Sequence, residues 1–156
     1  MPNLIPRRTA LLMIGAAALA GCSTKAETNA ELTPPLYPNE TRELRELINQ
    51  YADFYGVPRD LVQRVVIRES THRPYASNGP NIGLMQIQLP TARGMGYEGD
   101  RAGLLDAETN LTYAVKYLAG AYLVAEGNYD RSVFLYAKGY YPEAKAAGLL
   151  KETGLQ

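Results

Sequence analysis

The chain has one cysteine, one histidine, two phenylalanines and no tryptophan in 156 residues, and each shortage removes a class of protein. A lone Cys22 cannot close an internal disulfide. With His72 as the only imidazole, no Cys/His cluster has the spacing of a zinc site. Lys plus Arg number 16 and Asp plus Glu number 16, whereas a nucleic-acid binder normally carries a clear basic excess. The apolar run at the N-terminus, Thr9 to Ala20, has twelve residues, short of the roughly 20 that a helix needs to cross a bilayer. Tyrosine is abundant instead: twelve of them supply flat, half-polar faces able to stack on and hydrogen-bond a polar ligand. At 46% hydrophobic and 21% charged, the composition is that of one foldable domain.

Arg7 and Arg8 ahead of that run, and small residues behind it, have the layout of an export signal at residues 1–21. Leu19-Ala20-Gly21-Cys22 resembles the lipobox of bacterial lipoproteins. The resemblance implies cleavage before Cys22, lipidation of that cysteine and attachment to a membrane. Ser23 in the next position implies the outer membrane of a cell envelope, facing the periplasm. Residues 22–38 are polar and contain Pro34, Pro35 and Pro38, which reads as an extended tether. Loss of Arg7 and Arg8 leaves 14 basic against 16 acidic residues, a net charge of −2.

The domain then runs from Asn39 to residue 156, and its periodicity is helical. Leu44, Leu47, Ile48, Tyr51, Ala52 and Tyr55 fall at steps of three and four, with Asn39 expected as the N-cap and Gly56 as the stop. Pro58 suits the first turn of a second helix ending near Ser70. A loop rich in Gly, Asn and Pro follows from Arg73 to Gly83, then a short turn at Pro90-Thr91-Ala92 and a second irregular stretch from Gly94 to Gly103. Asp106 is expected to cap a long helix from Ala107 to about Glu126, Asp130 another, and Pro142 to open a last one ending near Leu150. No segment alternates long enough to require a strand. The expectation is an all-α orthogonal bundle of five to six helices with two long irregular loops, and loops of that length in a compact domain are usually functional.

Gly94-Met95-Gly96-Tyr97-Glu98-Gly99 matches G-x-G-x-x-G, but that fingerprint has meaning only between a strand and a helix, and no hydrophobic strand precedes it. Glu69 is a stronger candidate. It lies seven residues after Val62, four after Val65 and three after Val66, which puts its carboxyl on the apolar face of the second helix. Desolvation there raises a carboxyl pKa, the property of a general acid near neutral pH. Downstream, Gly83-Leu84-Met85-Gln86-Ile87 supplies a tight turn bearing an amide and a thioether.

Glu69-Ser70, Pro74, Ala76, Gly83-Leu84-Met85-Gln86-Ile87 and Thr91-Ala92, continued by Asn110, Tyr117-Leu118 and Tyr136 to Gly139, resemble the catalytic domain of the soluble lytic transglycosylases, relatives of goose-type lysozyme. The resemblance implies a lysozyme-like fold and cleavage of the β-1,4 bond between N-acetylmuramic acid and N-acetylglucosamine in peptidoglycan. It implies that Glu69 acts first as acid and then as base, that a 1,6-anhydro ring closes, and that no cofactor or metal is needed. It further implies substrate contacts from Ser70, Asn78, Gly83, Met85, Gln86 and Tyr136, with the Met85 thioether on a ring face and Tyr136 orienting the acid. A monomer is expected, with peptidoglycan strands and the membrane as its partners.

Three positions depart from the family pattern. Tyr136-Ala137-Lys138-Gly139 stands where the family has Tyr-Asn-Ala-Gly; Asn78 takes the place of a serine; His72 takes that of an apolar aromatic. A weakly catalytic wall-binding lipoprotein of the same fold is therefore one alternative. A hydrolytic muramidase is another, and it needs a second carboxylate, for which Asp100, Asp106, Glu108 and Asp130 are available. The enzymatic readings require Glu69, Gln86 and Tyr136 to converge on one groove.

Overall fold

The computed structural model describes residues 34–155; Cys22 and the apolar run before it lie outside the described residues. Six helices appear among the described residues: α1 (Arg42–Phe54), α2 (Arg59–Ser70), α3 (Leu89–Gly94), α4 (Ala107–Val124), α5 (Tyr129–Lys138) and α6 (Tyr141–Ala146). A 3₁₀ turn at Gly103–Leu105 precedes α4. The all-α expectation holds.

The centre is α4, which buries Leu111, Ala114, Val115, Leu118, Ala121 and Val124 and packs against α1, α3 and α5. A helix apolar around most of its circumference belongs inside a bundle. At Gly120 an added Cβ would lie 2.2 Å from the Tyr140 hydroxyl. That slot lets Tyr140 bury completely and donate to the Tyr117 carbonyl at 2.9 Å. Around this core, α1 contributes Leu44, Ile48 and Ala52, and α2 contributes Leu61, Val62, Val65 and Val66.

Capping differs from expectation at two helices. Thr41, not Asn39, caps α1, its hydroxyl accepting from Leu44 N at 3.1 Å. Asn39 sits at φ 63 and donates its amide to the Thr71 carbonyl. Asn128, not Asp130, caps α5 by accepting from Arg131 N at 2.9 Å, while Asp130 pairs with Arg64 across to α2. Both proposed caps lay within two residues of the true ones, and an Asn or Asp can cap only from extended backbone. Asp106 caps α4 as expected, accepting from Thr109 N at 2.8 Å. Pro142 lies in the first turn of α6, which ends at Ala146 rather than near Leu150.

The first long loop and the turn after it carry a three-stranded antiparallel sheet of two-residue strands, too short for alternation to register: β1 (Ser77–Asn78), β2 (Asn81–Ile82) and β3 (Ile87–Gln88). Ser77 faces Ile82, Asn78 faces Asn81, and β3 pairs Gln88 with Asn81 and Ile87 with Ile82. Arg101, from the second irregular stretch, ties down the hairpin tip by donating to the Gly79 carbonyl at 2.7 Å and the Ser77 hydroxyl at 2.8 Å. The G-x-G-x-x-G pattern starts on the last residue of α3 and continues into loop, so it never opens a helix.

Residues from Pro35 onward belong to the compact unit. Glu40 is buried and accepts from Arg45 Nε, Tyr37 N and Gln63 Nε2, each at 2.9 Å. Because the Gln63 amide nitrogen donates to Glu40, its oxygen accepts from His72 Nε2 at 2.8 Å, which fixes the imidazole tautomer. Burial raises the Glu40 pKa, but these donors outweigh it and leave it below the ordinary value. Burial also keeps His72 low, hence neutral at pH 7, and its ring stacks on Tyr37. This strap fixes the turn leaving α2, where Thr71 (φ 52) and His72 (φ 59) are consecutive left-handed residues.

Candidate active site

Glu69 occupies the last turn of α2, one residue before its C-terminus, because the Val62, Val65 and Val66 stripe turns that face inward. It opens into a groove of about 370 Å³. Arg68 and Glu69 form one wall, Asn81, Gln86, Ile87 and Gln88 of the small sheet another, and Thr91, Tyr117 and the segment 136–139 complete it. The Glu69 side chain is only 22% exposed. Desolvation raises its pKa, opposed by Arg68, whose Nε lies 3.6 Å from Oε1.

Gln86 and Tyr136 line the same groove, so the three expected residues converge. Gln86 holds a left-handed φ of 52 and donates its amide to the carbonyls of Ala76 at 3.0 Å and Gly83 at 2.9 Å. Carbonyls only accept, so the nitrogen is assigned without ambiguity and the amide oxygen is the atom left for a ligand N–H or O–H. Burial and then the Glu69 charge hold the Tyr136 phenol well above its ordinary pKa. Its hydroxyl donates to the Met85 carbonyl at 2.9 Å, so its proton is spent on the turn rather than on Glu69.

The other expected contacts are not among the residues that line the groove. Met85 is fully buried and its thioether belongs to the core. Ser70 is 1% exposed; its hydroxyl accepts from Arg73 N at 3.2 Å and supports the turn after Glu69. Gly83 (φ 75) approaches protein, not ligand: an added Cβ would lie 2.2 Å from Asn110 Nδ2 and 2.3 Å from the Leu104 carbonyl oxygen. Asn78 is exposed on β1 and is not among the groove residues.

Asn110 acquires a function that its spacing did not disclose. Fully buried on α4, it accepts from Met85 N at 2.9 Å and donates to the carbonyls of Ile82 at 3.0 Å and Leu104 at 2.8 Å. It therefore bolts the turn carrying Gln86 to the central helix. Gln88, on β3, also lines the groove and is not singled out by the sequence pattern. It donates to Asn81 Oδ1 at 3.0 Å.

Among the described residues no second carboxylate lines the groove. Asp100 accepts from Gly103 N, Asp106 caps α4, Glu108 accepts from the Tyr51 hydroxyl, and Asp130 pairs with Arg64. Among the described residues no group of three His, Cys, Asp or Glu side chains could hold a metal ion. The departures Ala137 and Lys138 both line the groove, Lys138 with Nζ 2.8 Å from Glu143 Oε1.

A family model described as Transglycosylase SLT domain matches residues 46–153. Membrane-bound lytic murein transglycosylase C of Yersinia enterocolitica is 29% identical over 97 residues, covering 57% of this chain. The chain spans only 27% of that relative's length. No solved structure matches significantly.

Proposed function

Since the chain belongs to the transglycosylase SLT domain family, with its all-α lysozyme-like fold, we propose that it is a peptidoglycan lytic transglycosylase forming 1,6-anhydro-N-acetylmuramic acid. The observation that carries this reading is the half-buried Glu69, with its raised pKa, as the sole carboxylate that lines the groove among the described residues. Paired-carboxylate glycosidases need a second acid at a defined separation, whereas intramolecular ring closure needs one group that gives a proton and takes one back.

In the first step Glu69 in its neutral form protonates the glycosidic oxygen, the bond from that oxygen to the muramyl anomeric carbon breaks, and N-acetylglucosamine leaves with a free 4-hydroxyl. The muramyl acetamido group supports the cation. The Glu69 carboxylate then removes the proton of the C6 hydroxyl as O6 bonds to the anomeric carbon. Glu69 ends protonated and no water is consumed. A pKa raised by burial suits both halves of the cycle. Gln86 presents its amide oxygen to the sugar, Tyr136 fixes the turn beneath it, and Ser70 supports the acid's helix end. The proposal extends to residues 1–38: export, lipidation at Cys22, and a monomer tethered to the outer membrane with the domain in the periplasm.

The experiment is digestion of purified peptidoglycan followed by mass analysis of the fragments. Anhydro ends that disappear in Glu69→Gln support the reading. Reducing ends indicate a muramidase. Intact glycan favours the weakly catalytic wall binder, the alternative to which Ala137 points by replacing the family amide with a methyl.

A further inference from the structure

The strap ahead of α1 reaches the helix end that carries Glu69. Thr71 follows the last residue of α2, where carbonyls run out of partners inside the helix, and Asn39 supplies one by donating its side-chain amide to the Thr71 carbonyl at 3.0 Å. His72 stacks on Tyr37, with ring centres 5.4 Å apart and planes 9° from parallel. Its Nε2 donates to Gln63, whose own amide nitrogen is committed to Glu40 of the same strap. Arg45 of α1 secures the strap in turn, donating to the Pro35 carbonyl at 3.0 Å and to the Glu40 carboxylate. Two strap residues, Asn39 and Tyr37, thus hold the two left-handed positions, Thr71 and His72, that follow directly on Glu69 and Ser70.

His72 makes this hold depend on protons. With Nε2 as the donor, Nδ1 carries a lone pair, and it is buried with no hydrogen-bond partner among the described residues. A proton added there creates a second N–H with nothing to receive it, on a residue that is 1% exposed. The groups around the ring are Tyr37 and Glu40 of the strap, Arg45 of α1 and Gln63 of α2, while Arg73 lines the same hollow of about 410 Å³. Burial disfavours the imidazolium most; Glu40, 3.7 Å from Nε2, favours it without overcoming burial, and Arg45 opposes it. The docked ring therefore resists protonation.

We infer that His72 is a positioning residue for Glu69: the strap of residues 35–40 clamps the end of α2 while the imidazole is neutral and releases it when the imidazole is protonated. The inference rests on the transglycosylase reading for the identity of the reaction. A protonated ring leaves the stack for water, Tyr37 loses its partner, and the turn after Glu69 loosens, so the acid no longer sits where the glycosidic oxygen requires it. Glu69 by itself gives no such loss in acid, because its first step needs the neutral carboxyl, which acid favours. A fall in turnover on the acid side therefore belongs to His72. Phenylalanine at this position, the apolar aromatic of the family pattern, would stack without titrating.

The test follows the full chain, prepared without a histidine tag, across pH. His72 is the only histidine, so proton NMR reads its titration without ambiguity, alongside turnover on purified peptidoglycan and circular dichroism to show that the fold persists. The wild-type midpoint is expected below the ordinary 6.5, and kcat to fall roughly tenfold as pH drops through that midpoint, with KM little changed. His72→Phe should lose this acid limb. Tyr37→Ala, at a position 43% exposed, should move the His72 midpoint up toward 6.5 and lower kcat at pH 7 roughly tenfold, again with KM little changed; Tyr37→Phe, which keeps the ring, should restore both. A wild type whose kcat does not fall through the His72 midpoint overturns the inference, as does an equal acid limb in His72→Phe, or a wild-type midpoint or kcat in Tyr37→Ala. A chain that cuts no peptidoglycan at any pH refutes the enzymatic reading instead. The clamp then stands if Tyr37→Ala raises both the His72 midpoint and the amide hydrogen exchange of Thr71 and Arg73, and falls if either stays at its wild-type value.

Discussion

Asn110→Ala removes the side chain that joins the Gln86 turn to α4. Three buried hydrogen bonds are lost, from Met85 N and to the carbonyls of Ile82 and Leu104. At about 1 kcal/mol each, with a further cost of about 1–3 kcal/mol for the orphaned Met85 N–H, the loss is about 4–6 kcal/mol. That is a large share of the roughly 5–15 kcal/mol that holds a domain folded, and it corresponds to a fall in Tm of roughly 10 °C or more. Asn110→Asp sharpens the test. One carboxylate oxygen can still accept from Met85 N, but the other faces two carbonyls and can donate only when protonated. Its penalty therefore grows as pH rises. Thermal melts by circular dichroism between pH 4 and 8 read both effects. If Asn110→Ala melts within about 2 °C of the wild type, or if Asn110→Asp shows no added loss at high pH, the keystone role is refuted.

Glu69 has a folded pKa above its unfolded value, so its ionisation costs stability as pH rises from the ordinary carboxylate range through the raised value. Glu69→Gln should therefore melt above the wild type at pH 7, with the gap closing in acid; a lower Tm at pH 7 contradicts this. Glu40 has the opposite sign. Its lowered folded pKa contributes stability above the unfolded carboxylate range that is lost as pH falls through the folded value. His72, buried neutral, loses stability as pH falls through its unfolded value near 6.5. Glu40→Gln should lower Tm at pH 7 and flatten the acid side of the stability profile, and an unchanged slope would count against the network. Gly83→Ala meets both a left-handed φ and contacts near 2.2 Å, so a loss of about 2–4 kcal/mol is expected; a denaturant midpoint equal to the wild type would show that the turn can relax.

Long-period features were legible in the sequence. The stripes of α1, α2 and α4 and the Asp106 cap follow from spacing alone, and so does the placement of Glu69 on a desolvated face. The converging Glu69, Gln86 and Tyr136 were reached through the family resemblance. Features fixed by side-chain partnership were not legible. Asn39 and Asn128 are both acceptable caps by composition, and only backbone geometry chooses between a cap and a strap. Met85 and Ser70 stand in a functional block yet serve as packing and turn support, because a conserved-looking string does not say which way each side chain points. Asn110 was unreadable because its three partners come from Ile82, Met85 and Leu104, segments the helix periodicity does not register. The two-residue strands are too short for any pattern.

In the proposed reaction one carboxyl, with no second one lining the groove among the described residues, closes a sugar on itself without water. Digestion of peptidoglycan by the full chain in heavy-oxygen water tests it most directly. The expected outcome is anhydro-ended products that carry no solvent oxygen, and none formed by Glu69→Gln. Incorporation of one solvent oxygen at each new muramyl end would mean hydrolysis and contradict it.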